Sequence, residues 1–123
     1  MIAISDAEAI VMEVLWASSP LGADEVSAAL AGSRQWQDAT VKTLLNRLLN
    51  KGAIAADKDG RRYLYRPLLE RDDYLREQSS HLIDRLFEGR IAPLVSHFSA
   101  QRRLSAEDVA ELRKLIEGLD DAG

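Results

Sequence analysis

The sequence predicts a mainly α-helical protein with one short β-hairpin near the middle of the chain. Two observations favour this fold class. Apolar residues recur at helical spacing over most of the 123 residues, whereas a single stretch at residues 54–67 changes to strand-like alternation. The pattern divides the chain into three helices and the hairpin (residues 1–67) and a second helical region (residues 68–123).

The first two helices are marked by their ends. Ser5 followed by Glu8 is a capping box, in which each residue can satisfy a backbone amide of the other. Pro20 closes the first helix, because proline cannot continue the hydrogen-bond ladder. The second helix fits Ala23–Ala31, with Gly32 ending it.

The third helix lies in the stretch QDATVKTLLNRLLNKGAI, residues 37–54. Gly52 stands where a left-handed C-cap belongs. An apolar stripe at helical spacing runs along one side of this helix and consists of Val41, Leu44, Leu45, Leu48 and Leu49.

The hairpin follows directly. Ile54–Ala56 and Arg61–Arg66 read as strands, the pair Asp59-Gly60 is a turn signal, and Pro67 ends the unit. Three helices followed by a hairpin are the element order of a winged helix-turn-helix, which predicts DNA binding by residues 1–67.

The region after Pro67 is predicted to be three helices, the last of them capped by Ser105 and Asp108. About 50 residues bury too small a fraction of their surface to form a stable core alone. A second copy of the same region is the simplest partner, so residues 68–123 are predicted to be a dimerisation domain. The apolar residues expected at its interface are Leu75, Leu82, Leu86, Leu94, Phe98, Val109, Leu112, Leu115, Ile116 and Leu119.

Charge is distributed unevenly along the chain. The net charge is −4, but residues 1–33 hold five acids and no Lys or Arg, whereas residues 34–66 hold eight bases against three acids. The balance of +5 in the middle segment is a local cationic footprint that the total conceals. It falls on the third helix and the hairpin.

The polar side of the third helix has the composition of a DNA-reading surface. Small and hydrogen-bonding residues lie opposite the apolar stripe, with cations at both edges, which suits a helix in the major groove. The residues in this set are Ala39, Lys42, Thr43, Asn46, Arg47 and Asn50. Lys58, Arg61 and Arg62 at the hairpin are expected to contact the flanking DNA backbone.

Other features of the sequence exclude several kinds of site and location. The chain has no cysteine, which excludes disulfides and thiolate metal sites. Glu13 interrupts the longest apolar run, so no membrane insertion is expected, and no secretory signal opens the chain. We expect a cytoplasmic protein without a cofactor or metal and without enzymatic activity.

Several stretches together resemble one family. The segments ISDAEAIVMEVLW, ATVKTLLNRLLNKGAI, GRRYLYRP, LFEGRIAPLVSHF and LSAEDVAELRKLIE are similar to the penicillinase-repressor (BlaI/MecI) family of bacterial transcription regulators, over about residues 4–119. The resemblance implies a homodimeric repressor on a dyad-symmetric, palindromic operator. The family pattern for DNA contact falls on Thr40, Thr43, Arg47 and Lys51 in the third helix, and on Gly60 and Arg61 in the wing.

This sequence departs from the family pattern at two places. Gln37-Asp38-Ala39 stands where resistance regulators have Ser-Pro-Lys, which removes a cation from the leading edge of the helix. His97-Phe98 stands where those relatives are cleaved at Asn-Phe, so this pair is the candidate cleavage site, and a membrane sensor protease is the candidate partner. The Cys-x-Cys copper sensor of another branch is excluded, since the chain has no cysteine.

Two alternatives belong to other functional classes. A winged helix can serve as a protein-interaction module that never touches DNA, which predicts exposed apolar residues or mixed charge on the third helix. A small metal-dependent enzyme would use His81, Glu77 and Asp84, although these residues match no established ligand spacing.

Overall fold

The computed structural model describes residues 2–101 and 103–122, in two compact units, Met1–Leu75 and Arg76–Gly123. The boundary between the units lies within the fourth helix. The helices are α1 (Asp6–Ala17), α2 (Ala23–Leu30), α3 (Asp38–Lys51), α4 (Arg71–Phe87), α5 (Ile91–Ala100) and α6 (Ala106–Ala122), and the strands are β1 (Ile54–Asp59) and β2 (Arg62–Pro67).

Both predicted N-terminal helices are present, and their caps explain where they begin. The Glu8 amide donates to Ser5 Oγ at 3.1 Å and the Ser5 amide donates to Glu8 Oε1 at 2.8 Å, which completes the capping box of α1. The Gly22 amide donates to Glu25 Oε1 at 3.0 Å at the start of α2. The end of α2 differs slightly from the prediction, because Ala31 rather than Gly32 forms its C-cap.

Helix α3 forms as its apolar stripe predicts. Val41, Leu44, Leu45 and Leu48 are buried. Gly52 adopts a φ of 77°, which is the left-handed conformation that terminates a helix at little cost for glycine. The stripe anchors one side of α3 in the core and leaves the opposite side exposed.

The hairpin is a two-stranded antiparallel sheet. Its turn lies one residue later than predicted: Asp59 pairs with Arg62, so the two-residue loop is Gly60-Arg61. Gly60 has a φ of 65°, and a glycine at the first loop position suits a two-residue hairpin connection. At its base the hairpin is joined to the α1–α2 connection, where Leu21 and Tyr65 exchange backbone hydrogen bonds of 3.1 and 2.7 Å.

Every described member of the hydrophobic core lies in the first unit. Its buried members come from α1, α2, α3 and the hairpin and are Val11, Met12, Leu15, Val26, Leu30, Val41, Leu44, Leu45, Leu48, Ala53, Ile54 and Tyr65. The connection before α4 and the first turn of that helix are attached to this unit, because the Trp16 indole N–H donates to the Leu69 carbonyl at 2.8 Å and the Trp16 ring contacts Tyr74. The unit is a winged helix-turn-helix, and the predicted fold class is confirmed.

The second unit has a different character. It comprises the rest of α4 with α5 and α6, and Ser105 and Asp108 cap α6 through hydrogen bonds of 3.0 and 3.3 Å. None of the side chains described between Arg76 and Leu119 is buried. Among the described helices, none is both long and apolar enough to cross a membrane.

Candidate nucleic-acid interface

The exposed side of α3 presents a narrow polar surface. Ala39, Thr40, Thr43, Asn46 and Asn50 are all exposed on it. The Thr43 hydroxyl donates to the Ala39 carbonyl at 2.9 Å, within the helix. The hydroxyl hydrogen is therefore engaged, and the outward lone pairs of Thr43 remain available as acceptors.

Four cations of the middle segment are free to bind a ligand. Lys42, Arg47, Lys58 and Arg61 are exposed. In the part of the chain that the structure describes, they have no hydrogen-bond or ion-pair partner. An exposed cation without an internal partner loses no native contact when it binds a phosphate.

Three other cations of the segment have acidic partners. Lys51 Nζ lies 2.5 Å from Glu8 Oε1, and Arg66 Nε lies 2.8 Å from Asp57 Oδ2. Arg62 pairs with Glu25 on α2. Lys51 and Arg62 are thus engaged within the protein, and their contact with DNA stays a prediction.

Glu8 is the unusual member of these pairs, since it is only 1% exposed. Its burial acts to raise the pKa of the carboxyl, and this is the largest single influence. The Lys51 ammonium and the backbone and side chain of Ser5 together outweigh burial, so the net pKa of Glu8 is lowered. Glu8 is therefore a buried carboxylate that stays ionised because its donors hold it in that form.

Helix α3 and the wing line a common cleft of about 310 Å³. Lys42 from α3 and Arg61 and Arg62 from the wing line it, together with Asp24 at the start of α2. The cleft brings the edge of α3 close to the hairpin tip. A strand of DNA backbone along this edge would meet cations from both elements.

Most of the residues predicted to form a dimer interface are exposed. The most exposed are Leu119 at 72%, Leu115 at 66%, Leu86 at 59% and Ile116 at 58%. Leu75, Leu82 and Val109 are also exposed, and Leu94, Phe98 and Leu112 are half-buried.

The candidate cleavage pair, His97 and Phe98, lies inside α5. The two rings are in edge-to-face contact at 5.4 Å, and His97 Nε2 lies 3.1 Å from Gln101 Nε2. His81, Glu77 and Asp84 are on α4. Within the described residues, no three His, Asp or Glu side chains are grouped closely enough to hold a metal ion.

Comparison with known proteins identifies the family. Residues 4–118 match the family model described as penicillinase repressor. The chain is 35% identical over 114 residues to the penicillinase repressor of Bacillus licheniformis, covering 93% of this chain and 89% of that protein. It is 31% identical over 113 residues to the methicillin resistance regulatory protein MecI of Mammaliicoccus sciuri, covering 92% of each.

This chain belongs to the penicillinase repressor family. It is a DNA-binding repressor by that membership, as the sequence predicts. The family resemblance drawn from the quoted segments is likewise confirmed.

Two solved structures agree with this assignment. The DNA-binding domain of the repressor BlaI in solution superposes with a TM-score of 0.53 at 41% identity, covering 58% of this chain and 87% of that one. Monomeric Bacillus licheniformis BlaI in complex with the blaP half-operator gives 0.52 at 40% identity, covering 58% and 88%. MarR of E. coli, at 17% identity and a TM-score of 0.51, shows only a shared fold.

Sequence reasoning missed the acidic partners of the cations. Glu25 and Asp57 carry no sequence signal that indicates an ion pair. The sequence around Glu8 indicates only a helix cap. The partners of Lys51 and Arg62 lie 43 and 37 residues away in sequence. Only the packing of α1 and α2 against α3 and the wing brings these groups together.

Proposed function

We propose that this repressor binds a palindromic operator as a homodimer, with one α3 in the major groove of each half-site and each wing on the flanking backbone. The observation that carries the proposal is the exposed side of α3, where four uncommitted cations of α3 and the wing surround small hydrogen-bonding side chains. A protein-interaction surface would instead expose apolar groups or mixed charge there. In the part of α3 that follows Asp38, that side has no acid.

The residues proposed to recognise the DNA bases lie at the centre of this surface. Thr43, Asn46 and Asn50 present hydroxyl and amide groups that can bond base edges, and Arg47 can bind guanine through two donors. Ala39 keeps the leading part of the helix thin, so the backbone can approach the bases closely. Thr40 and Lys42 lie at the edges, where phosphate contacts position the helix.

Dimerisation is supported by the second unit. Leu112, Leu115, Ile116 and Leu119 recur at helical spacing along α6 and would lie at its surface in a monomer, and an exposed apolar stripe of this kind is typical of a contact with another protein. Each DNA-binding unit alone is expected to bind weakly. Tethering two units at a fixed spacing raises affinity without any new contact and requires a two-fold operator.

Release from DNA could follow from cleavage between His97 and Phe98 by a membrane sensor protease, as in relatives that are cut at Asn-Phe. Since this bond lies inside α5, that helix has to open locally before a protease can reach it. A cytoplasmic location follows from the DNA that the protein binds.

The test is a fluorescence-anisotropy titration with a duplex from the region upstream of the coding sequence, against a scrambled duplex of equal length. We expect preference for the first duplex and a two-fold footprint on it. Replacing Arg47 by Ala should weaken binding by about 5- to 150-fold, or about 1–3 kcal/mol, through loss of one base contact.

The folding of the Arg47→Ala variant provides the control, because an outward arginine contributes little to the core. Its urea midpoint should match that of the unsubstituted protein. Unchanged operator affinity in the variant would remove Arg47 from the reading surface. Failure to bind either duplex would favour the protein-interaction module instead.

A further inference from the structure

Lys51 is placed differently from the other cations of α3. Its ammonium group donates to Glu8 Oε1 at 2.5 Å and to the Ala3 carbonyl at 2.9 Å. Both acceptors belong to the segment that opens the chain and begins α1. The side chain thus joins the C-terminal end of α3 to the N-terminal end of α1.

The Glu8 carboxylate is held on one side only. All its donors, the Ser5 amide and Lys51, meet at Oε1, while the buried Oε2 has no hydrogen-bond partner among the described residues. A buried carboxylate with so few donors depends strongly on each of them. Moving Lys51 onto a DNA phosphate would leave this charge in the protein interior without its counter-ion.

We propose that Lys51 is a positioning residue, which through Glu8 fixes the C-terminal end of α3 against α1 and supports DNA binding without contacting DNA. The proposal rests on the DNA-binding function proposed above. The Lys51–Glu8 contact attaches the last turn of α3 to α1. Arg47 and Asn50 lie on this part of α3, so their aim at the bases depends on it.

The decisive variant is Glu8→Gln, because it removes no cation. If Lys51 bound phosphate, releasing it from Glu8 and removing one negative charge would tighten DNA binding. If Lys51 positions α3, Glu8→Gln should instead weaken specific binding several-fold, with little change in the salt dependence of the remaining affinity. All titrations are made at a temperature where circular dichroism shows each variant to be folded.

Lys51→Met and Lys42→Met form a matched pair on the same helix. Lys42 has no internal partner among the described residues, so its replacement should lower the slope of log affinity against log salt by about 1. Lys51→Met should lower affinity for the specific duplex at least as much, but leave that slope unchanged. The double variant Glu8→Gln/Lys51→Met should lose no more affinity for the specific duplex than either single variant, because both substitutions disrupt the same Lys51–Glu8 contact.

A measurement on the unsubstituted protein keeps the proposal testable if a variant does not fold. Amine-reactive labelling, read by mass spectrometry, should modify Lys42 and Lys58 in the free protein and spare them on DNA. Lys51 should be modified slowly in both states. The proposal is overturned if Lys51 is reactive in the free protein and protected only by DNA, or if Glu8→Gln binds as tightly as the unsubstituted chain.

These outcomes are separate from failure of the DNA-binding function itself. In that case the unsubstituted protein would not distinguish the upstream duplex from the scrambled one. The Lys51 proposal is judged on a duplex that the unsubstituted protein does prefer.

Discussion

The two units of this chain differ in how far they bury their apolar residues. The first unit buries twelve of them in one core and needs no other chain to do so. The second unit has helices of similar length, yet none of its described side chains is buried, and its leucines and isoleucines remain accessible. Apolar content alone therefore does not show whether a helix stabilises its own unit or is available to a partner.

The contrast assigns a separate physical task to each unit. A self-sufficient core holds α3 and the wing in a fixed geometry, which a reading surface needs. An open apolar surface can support affinity between copies, and that affinity depends on protein concentration.

The largest effect is expected from disrupting the proposed dimer. Replacing Leu112 and Leu115 by Gln should produce monomers, because polar amides would then lie in an apolar contact. Operator affinity should fall by about 10²–10⁴-fold through loss of tethering. Sedimentation velocity and anisotropy titration measure the two effects.

Lys114→Gln is the control on the same helix, since it changes an exposed polar residue and should preserve the dimer. An unchanged sedimentation coefficient in the Leu112→Gln/Leu115→Gln variant would show that α6 does not form the interface.

A core truncation in the first unit should act independently of concentration. Leu45 is fully buried, so Leu45→Ala is expected to lower the free energy of unfolding by about 2–5 kcal/mol. Urea denaturation at two protein concentrations at least tenfold apart would measure this loss. Leu68→Ala, at a site that is 49% exposed, should change it by no more than about 0.5 kcal/mol. A concentration-dependent loss in the Leu45 variant would mean that the core is not self-sufficient.

The stability of the first unit should depend on acid through Glu8. Because the pKa of this carboxyl is lowered on folding, its contribution is present above the ordinary, unfolded-state pKa of about 4.5 and is lost as the pH falls through the lower folded-state pKa. Glu8→Gln should cost about 1–2 kcal/mol at neutral pH. It should also flatten the fall in stability below about pH 4.

Urea midpoints measured from pH 7 down to pH 3 would test this. Asp38→Asn serves as the control, because Asp38 is exposed and has no side-chain hydrogen bond or ion pair with another described residue. If the urea midpoint fell equally with decreasing pH in the Glu8→Gln variant and in the unsubstituted protein, Glu8 would not be the source of the acid dependence.

The smallest effects concern the two adjacent wing arginines. Arg61→Ala should weaken binding to any duplex several-fold and lower its salt slope by about 1, since its guanidinium is available to phosphate. Arg62→Ala should change the slope less, because Glu25 already pairs with that side chain. Equal slopes in the two variants would indicate that Arg62 leaves Glu25 when DNA binds.

Local signals in the sequence were sufficient for most of the fold. The Ser5–Glu8 capping box, the α3 stripe and the Gly52 cap each depend on residues within about one turn of each other, and all three form as predicted. The sequence also predicts the hairpin, but the turn lies one residue later than the Asp59-Gly60 signal indicates. The pairing register depends on both strands at once, and the Asp-Gly signal could not fix it.

The sequence predicts a location for the candidate site but not which of its cations have internal partners. Composition could not distinguish Lys42, which has no partner among the described residues, from Lys51, which has a buried one. That difference depends on α1 packing against α3, which brings Glu8 within 2.5 Å of Lys51. The sequence motif therefore indicates where the cations are, and the fold decides which of them remain available.

The attachment of the first turn of α4 has a practical consequence for fragments of this protein. Leu69 accepts the Trp16 indole hydrogen bond, Arg71 pairs with Glu13, and Tyr74 contacts the Trp16 ring. A fragment ending at Pro67 would lose all three contacts, whereas one ending at Leu75 keeps them. A cut between His97 and Phe98 would also preserve them, so the N-terminal piece should remain folded.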